Sequence, residues 1–256
     1  RIPWAGGPRA LTLGALALAV VAALGGWVLA RPPVIQAAAG ETTLRVGTYN
    51  IHGGSDEFFV PSLNAIGETI LRSGSNVVLM QEVEAGRLTS FGVDQSLWLA
   101  RRVGMDRRFY PTVEGLRGLA VLSNVPIAYH DGTPLPGMGE ATGLQRVQLT
   151  PGDNTVITVY NTWLAYLQEP DGDLTLAAQE SEQQAQLDAL FGIIASQHPN
   201  GVLGRTILGG TFNNVPDSPL IAQLRNAGFK DPLAELPPDL QATLWRVGLP
   251  QVRLDY

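Results

Sequence analysis

The stretch Leu208-Gly209-Gly210-Thr211-Phe212-Asn213 decides how this chain is read. The apolar run Thr206-Ile207-Leu208 enters two glycines and ends on two polar side chains spaced two apart. Alternation across a strand puts positions 211 and 213 on one face. Spelled Gly-Asp-Phe-Asn, such a strand end would offer a carboxylate to take a proton from water and an amide to hold an anionic oxygen. The amide is present as Asn213, but position 211 is a threonine. Near neutral pH a carboxylate serves as a general base and a hydroxyl does not.

Two further stretches share that design. Leu44 to His52 (Leu-Arg-Val-Gly-Thr-Tyr-Asn-Ile-His) reads as a strand delivering Asn50. Asn76 to Val83 reads as a fully buried strand delivering Gln81 and Glu82 at its C-terminal end. A carboxylate ending an apolar strand is costly unless it is paired or binds a cation. Mg²⁺ takes one or two such oxygens and fills the rest of its shell with water.

Five motifs follow one another along the chain: Thr48-Tyr49-Asn50, Gln81-Glu82-Val83, Asn161-Thr162-Trp163-Leu164, Gly209-Gly210-Thr211-Phe212-Asn213 and Arg253-Leu254-Asp255-Tyr256. In this order they resemble the endonuclease/exonuclease/phosphatase superfamily, the deoxyribonuclease I-like fold. The resemblance covers Glu41 to Tyr256. It implies an α/β domain in which two mixed β-sheets pack as a sandwich with helices on the outside. It also implies hydrolysis of a phosphoester, typically a phosphodiester, assisted by Mg²⁺ or Mn²⁺.

By the same resemblance Glu82 is a metal ligand, and Asn50 helps hold the metal or a phosphate oxygen. Asn213 orients the phosphate or the attacking water. Asp255 matches an aspartate that orients a catalytic histidine, which normally arrives in a later Ser-Asp-His segment. Two positions depart from the pattern. Thr211 stands where the family places the aspartate that activates water, and Trp163 where many members carry a histidine near the phosphate. Indole donates one hydrogen bond but takes no proton. Loss of the base removes about 10²–10⁴ in rate. The alternative to a weakened hydrolase is a catalytically inactive, membrane-tethered binding module. A third possibility is a recruited carboxylate, with Asp56 and Glu180 as candidates. His52, two residues past Asn50, reads as a loop histidine.

Ala10 to Ala30 runs without a charge, close to the length a helix needs to cross a bilayer. Ala37-Ala38-Ala39 before Gly40 resembles a signal cleavage site, but the length of the run favours a transmembrane helix. The expected organisation is a span with its flanks over 1–31, a linker over 32–43 and the domain over 44–256. Arg1 and Arg9 precede the span and Arg31 follows it, a balance that points to a membrane protein with an extracytoplasmic domain. The chain opens on Arg1 rather than Met, so it reads as a piece of a longer protein, with the Ser-Asp-His segment and a last strand expected after Tyr256.

Residues 41 to 256 hold 23 acidic and 14 basic side chains (17 less Arg1, Arg9 and Arg31), a formal charge of −9. Nucleic-acid binding draws on clustered Lys and Arg, and this domain has no basic run. The balance favours a small phosphoester or a lipid head group over long DNA, and no protein partner is evident. With no cysteine in the chain, disulfides and thiolate metal sites are excluded.

Periodicity predicts helices over Ser62–Arg72, stopped by Gly74, from Asp94 to about Gly104, over Ala177–Ser196 and over Ser218–Ala227. It predicts strands over Val77–Met80, Leu119–Ser123, Val147–Leu149, Val156–Tyr160, Thr206–Leu208 and Val252–Tyr256.

Overall fold

The computed structural model describes residues 9–30, 43–152, 155–166, 176–245, 247 and 251–256. Contacts divide the chain into two units, Arg1–Pro33 and Val34–Tyr256. In the first, α1 (Arg9–Ala30) is a single helix. Its segment Arg9–Leu29 is long and apolar enough to cross a membrane, and none of it is buried in protein. The linker, with Pro32-Pro33 at its start, lies outside the described residues except for Thr43.

The second unit holds two four-stranded sheets. One has the order β1 (Val46–Asn50), β2 (Val77–Glu84), β4 (Arg117–Ser123), β3 (Asp106–Val113). The other runs β5 (Ile127–Pro134), β6 (Gly143–Leu149), β7 (Ile157–Trp163), β8 (Thr206–Thr211). Each sheet is mixed, with one parallel pair, β1 with β2 and β7 with β8, and the remaining pairs antiparallel.

Period-2 alternation builds three apolar layers. Val77, Leu79, Val121, Val147, Leu149 and Val159 form the layer between the sheets. Val78, Met80, Ala120 and Leu122 face the other way, onto Ile66 and Ile70 of α2 (Leu63–Ser73) and Leu99 of α3 (Gln95–Val103). On the far side Leu144, Tyr160 and Phe212 meet α4 (Leu176–Gln197) and α5 (Pro219–Asn226). The result is the expected sandwich with helices outside. A short α6 (Pro238–Gln241) precedes the C-terminal segment.

The helix ends follow local chemistry. Gly74 and Gly104 cap α2 and α3 in the left-handed conformation. Asp94 accepts from Leu97 N at 2.9 Å to start α3, and Ser218 accepts from Ile221 N at 3.2 Å to start α5.

Several expectations need correction. β3 and β5 were not anticipated; both are edge strands, where charges and proline are tolerated and mask the alternation. β7 runs on to Trp163, so Asn161-Thr162-Trp163 is part of the strand. Val252–Tyr256 is not a full strand: it carries isolated bridges from Asp255 to Thr211 and from Val252 to Leu244. Its main chain still runs beside β8, with Gly210 N donating to Tyr256 O at 2.8 Å and Phe212 N to Leu254 O at 2.9 Å. The two glycines of the deciding stretch permit this. A Cβ on Gly210 would lie 2.0 Å from Thr162 O, and one on Gly209 would lie 2.8 Å from Leu79 Cδ1 and 2.9 Å from Tyr256 O.

Candidate active site

The inner face of each central strand changes from apolar to polar at one end of the sandwich. Val77 and Leu79 give way to Gln81, Val147 to Gln145, Val159 to Asn161, and Ile207 to Thr211. Gln81, Gln145 and Asn161 are fully buried, and buried amides persist only where their bonds are made. Asn161 Nδ2 reaches Met80 O at 3.0 Å, Ala120 O at 3.1 Å and Gln145 Oε1 at 3.3 Å. Its Oδ1 accepts from Gln81 Nε2 at 2.8 Å. This satisfied network pins one sheet to the other below the site and fixes the strand ends that carry it.

Glu82 owes its position to a break in β2. The register with β4 shifts between Met80 and Val83, and Glu82 has a φ of 56°. Regular alternation would turn Glu82 away from Gln81, toward the helices. The bulge re-aims it at a backbone cost of order 1–3 kcal/mol that the surroundings must hold in place.

Glu82 Oε1 accepts from Asn50 Nδ2 at 2.8 Å, and Oε2 accepts from Arg117 at 2.7 Å. Asn50 Nδ2 also lies 3.2 Å from Thr211 Oγ1. That hydroxyl is 2.5 Å from Asp255 Oδ1 and 3.3 Å from Gln81 Oε1. Its single proton belongs to the shorter, charge-assisted bond to the carboxylate. Burial pushes the Asp255 carboxyl above its ordinary range, and Glu82 adds to the rise, against the lowering from Thr211, Thr243 and Arg253.

Asn50, Glu82, Thr211 and Asp255 therefore form one connected group drawn from four distant parts of the chain. Asn213 does not join it by any hydrogen bond among the described residues. Asn213 lies past the end of β8 with a φ of 51°, so the alternation expected to place it beside Thr211 does not apply. Its amide donates to Leu164 O at 2.8 Å. Trp163 is buried, with Arg117 Cζ 4.9 Å from its ring centroid. The His52 ring packs on Phe59, centroids 5.4 Å apart, as befits a loop residue. Neither alternative carboxylate is at hand: Asp56 accepts from Phe58 N and Val60 N within its own turn, and Glu180 is exposed on α4. Asp255 is the carboxylate that touches Thr211.

Arg117 is the residue that sequence reasoning missed. It bridges Glu82 and Glu140 and stacks on Trp163. The signal was available: an arginine opens the apolar strand Gly118-Leu119-Ala120-Val121-Leu122, and a charge entering a buried strand demands a partner. Arg117 Nε and Trp163 Nε1 are both buried without a hydrogen-bond partner among the described residues.

A divalent cation does not fit this arrangement. Both Glu82 oxygens are engaged, one of them by a guanidinium. Asn50 turns its only ligating atom, Oδ1, to His52 N at 3.0 Å. That amide orientation is forced, since a backbone N–H only donates and an ionised carboxylate only accepts. No group of three or more His, Cys, Asp or Glu among the described residues could hold a metal.

Comparisons with known proteins bear on the fold and the family. A search of curated proteins finds no match. Among solved structures the chain is similar to an endonuclease/exonuclease/phosphatase from Beutenbergia cavernae DSM 12333, with 20% identity and a TM-score of 0.58, covering 78% of this chain and 57% of that one. The chain thus spans little more than half of that relative. It is also similar to sphingomyelinase C from Streptomyces griseocarneus, with 17% identity and a TM-score of 0.56, covering 83% of this chain and 82% of that one. An endonuclease/exonuclease/phosphatase family protein from Leptotrichia buccalis C-1013-b gives 15% identity and a TM-score of 0.61, covering 84% and 86%. At these identities the structures establish the shared fold. The sequence profile of the Endonuclease/Exonuclease/phosphatase family matches residues 47–256, nearly the whole domain, and the chain belongs to that family.

Proposed function

We propose that this chain is a membrane-tethered phosphoesterase that binds a small phosphoester or lipid head group and turns it over far more slowly than members with an aspartate at position 211. One observation carries the reading. The base position holds Thr211, a neutral hydroxyl committed to Asp255 at 2.5 Å. Members of the family generally use a divalent metal, and an added ion would supply Lewis-acid stabilisation of a phosphoryl oxygen. The residues present do not offer such an ion a place.

The chain's own residues support binding. Arg117 Nε and Trp163 Nε1 are donors lacking an acceptor among the described residues, and phosphoester oxygens are acceptors. The segments leaving the site expose apolar side chains: Phe58 and Phe59 after β1, Leu88 and Phe91 after β2, and Met138 beside Glu140. An apolar rim and a domain charge of −9 suit a lipid-borne ester better than a polynucleotide. Ala10–Ala30 is the tether, with the domain on the extracytoplasmic side.

A second reading, a binding module without turnover, is favoured by the guanidinium already seated on Glu82. The complete gene product, wild type and Thr211→Asp, assayed on generic phosphodiesters with Mg²⁺ and with EDTA, separates the two. A gain of at least tenfold, about 1.4 kcal/mol of barrier, supports the slow hydrolase. Equal rates that vanish in Glu82→Ala would mean another residue, with Asp255 foremost, already acts as base. Equal absence of activity would leave the binding module.

A further inference from the structure

The feature that neither the family pattern nor the proposed activity explains is a cation built into the protein at the carboxylate where the family implies a metal. We propose that Arg117 is the resident counter-cation of Glu82, a side chain that occupies the place of a divalent ion and keeps the site closed to one.

The two cations compete for the same oxygens. Arg117 approaches Glu82 Oε2 at 2.7 Å. A divalent ion would bind a carboxylate oxygen at about 2.0–2.1 Å, within repulsive range of the guanidinium. Arg117 is anchored against displacement at two other points. Its second terminal nitrogen meets Glu140, and its guanidinium lies 4.9 Å from the Trp163 ring centroid, within the range of a cation–π contact. The side chains of Arg117 and Glu82 are only 19% and 15% exposed, so salt screens the pair less than it would at the surface.

The proposal also accounts for Trp163. A histidine at this position could become protonated, and a second cation against Arg117 would be repelled. An indole stays neutral and presents a negative face to the guanidinium. Asn50 completes the arrangement by giving Glu82 its donor nitrogen while its ligating oxygen is turned to His52 N. Arg117 pairs with Glu82 as a cation and Asn50 donates a hydrogen bond to it, and neither is poised to share a metal with it.

Mn²⁺ binding to the full chain in detergent tests this, read from loss of the free-ion electron paramagnetic resonance signal. Arg117→Gln is expected to bind Mn²⁺ at least tenfold more tightly than wild type, and Arg117→Gln with Glu82→Gln is expected to lose that gain. Glu140→Gln releases one anchor of the guanidinium and is expected to give a smaller gain; it decides the matter if circular dichroism shows that Arg117→Gln does not fold. Wild-type binding as tight as that of the folded variants, or a gain that survives Glu82→Gln, overturns the proposal. Either result leaves the slow-hydrolase reading standing, because that reading is judged by the turnover of Thr211→Asp.

Discussion

Thr211→Asp is the substitution that restores the family pattern, and the structure predicts that it will be costly. The new carboxylate would arrive where Asp255 Oδ1 already lies 2.5 Å from the threonine hydroxyl. Two unit charges about 4 Å apart repel by about 4 kcal/mol at an effective dielectric of 20, equivalent to roughly 3 pK units. The pair would therefore hold one proton near neutral pH and titrate as a unit. A carboxyl group whose folded pKa is raised favours the native state below the unfolded pKa, near 4, and loses that advantage as pH rises toward the folded value. Between pH 5 and pH 7 the variant should lose roughly 2–3 kcal/mol relative to wild type. For a domain of this size that is about 5–10 °C in melting temperature. Thermal unfolding of the full chain in detergent, followed by near-ultraviolet circular dichroism at both pH values, measures it. Thr211→Asp with Asp255→Asn should recover most of the loss, because an amide carries no charge and can still accept a hydrogen bond. A variant that melts with the same offset from wild type at pH 5 and pH 7 would refute the reasoning, since positions 211 and 255 would then not share one site.

Two further predictions concern the supports of the site. Arg253 is almost fully buried, forks onto both Asp231 oxygens at 2.8 Å and stacks 4.1 Å from the Tyr256 ring centroid. Arg253→Met should destabilise the domain by about 3–5 kcal/mol in urea unfolding, the usual effect of stranding a buried charge. Burial alone would raise the Asp231 carboxyl, but Arg253 outweighs it and holds the pKa below the ordinary value. Wild type should accordingly lose stability as pH falls through the carboxylate range, and the variant should lose less; equal acid slopes would contradict the pairing. On the rim, Phe58 and Phe59 are 67% and 76% exposed, and burying each in lipid is worth about 1.5–3 kcal/mol. Replacing both with serine in protein lacking residues 1–40 should lower sedimentation with phosphatidylcholine vesicles at least tenfold, and unchanged sedimentation would remove the membrane-facing role of that loop.

Where local chemistry is strong, the chain could be read directly. Gly74 and Gly104 end helices, Asp94 begins one, and the apolar strand Val77–Met80 lies where its composition requires. The two missed strands show the limit of periodicity. β3 interrupts its pattern with Arg107, Arg108 and Pro111, and β5 with His130 and Asp131. Both occupy sheet edges, where one face and one row of backbone groups escape the demand for apolar neighbours. At the site, Asn50, Glu82, Thr211 and Asp255 were legible through the ordered family motifs that carry them, and hydrogen bonds link their side chains. Among the described residues Asn213 lacks a hydrogen bond to that group because it lies past the end of β8 in a left-handed turn, where strand alternation no longer sets the direction of its side chain. The arginine opening an apolar strand signalled that Arg117 needs a partner, but not which one: Glu82 and Glu140 lie 35 and 23 residues away in sequence.

The departures at 163 and 211 and the arginine at 117 are coupled by the physics of one small volume. Glu82, Glu140 and Asp255 place three acidic groups around the site, and Arg117 is the cation that touches two of them. An aspartate at 211 would add a fourth directly beside Asp255, so a neutral threonine limits the repulsion. A histidine at 163 would bring a titrating group against Arg117, so an indole keeps the local charge fixed. With Arg117 in place the carboxylates tolerate one another without an added ion; without it, Glu82 would need another cation or a proton. Reverting 163 or 211 to the family residue therefore sets it against neighbours adapted to its absence. The arrangement has its own electrostatic balance, which is the physical reason to expect Thr211→Asp to recover activity only in part while Arg117 remains on Glu82.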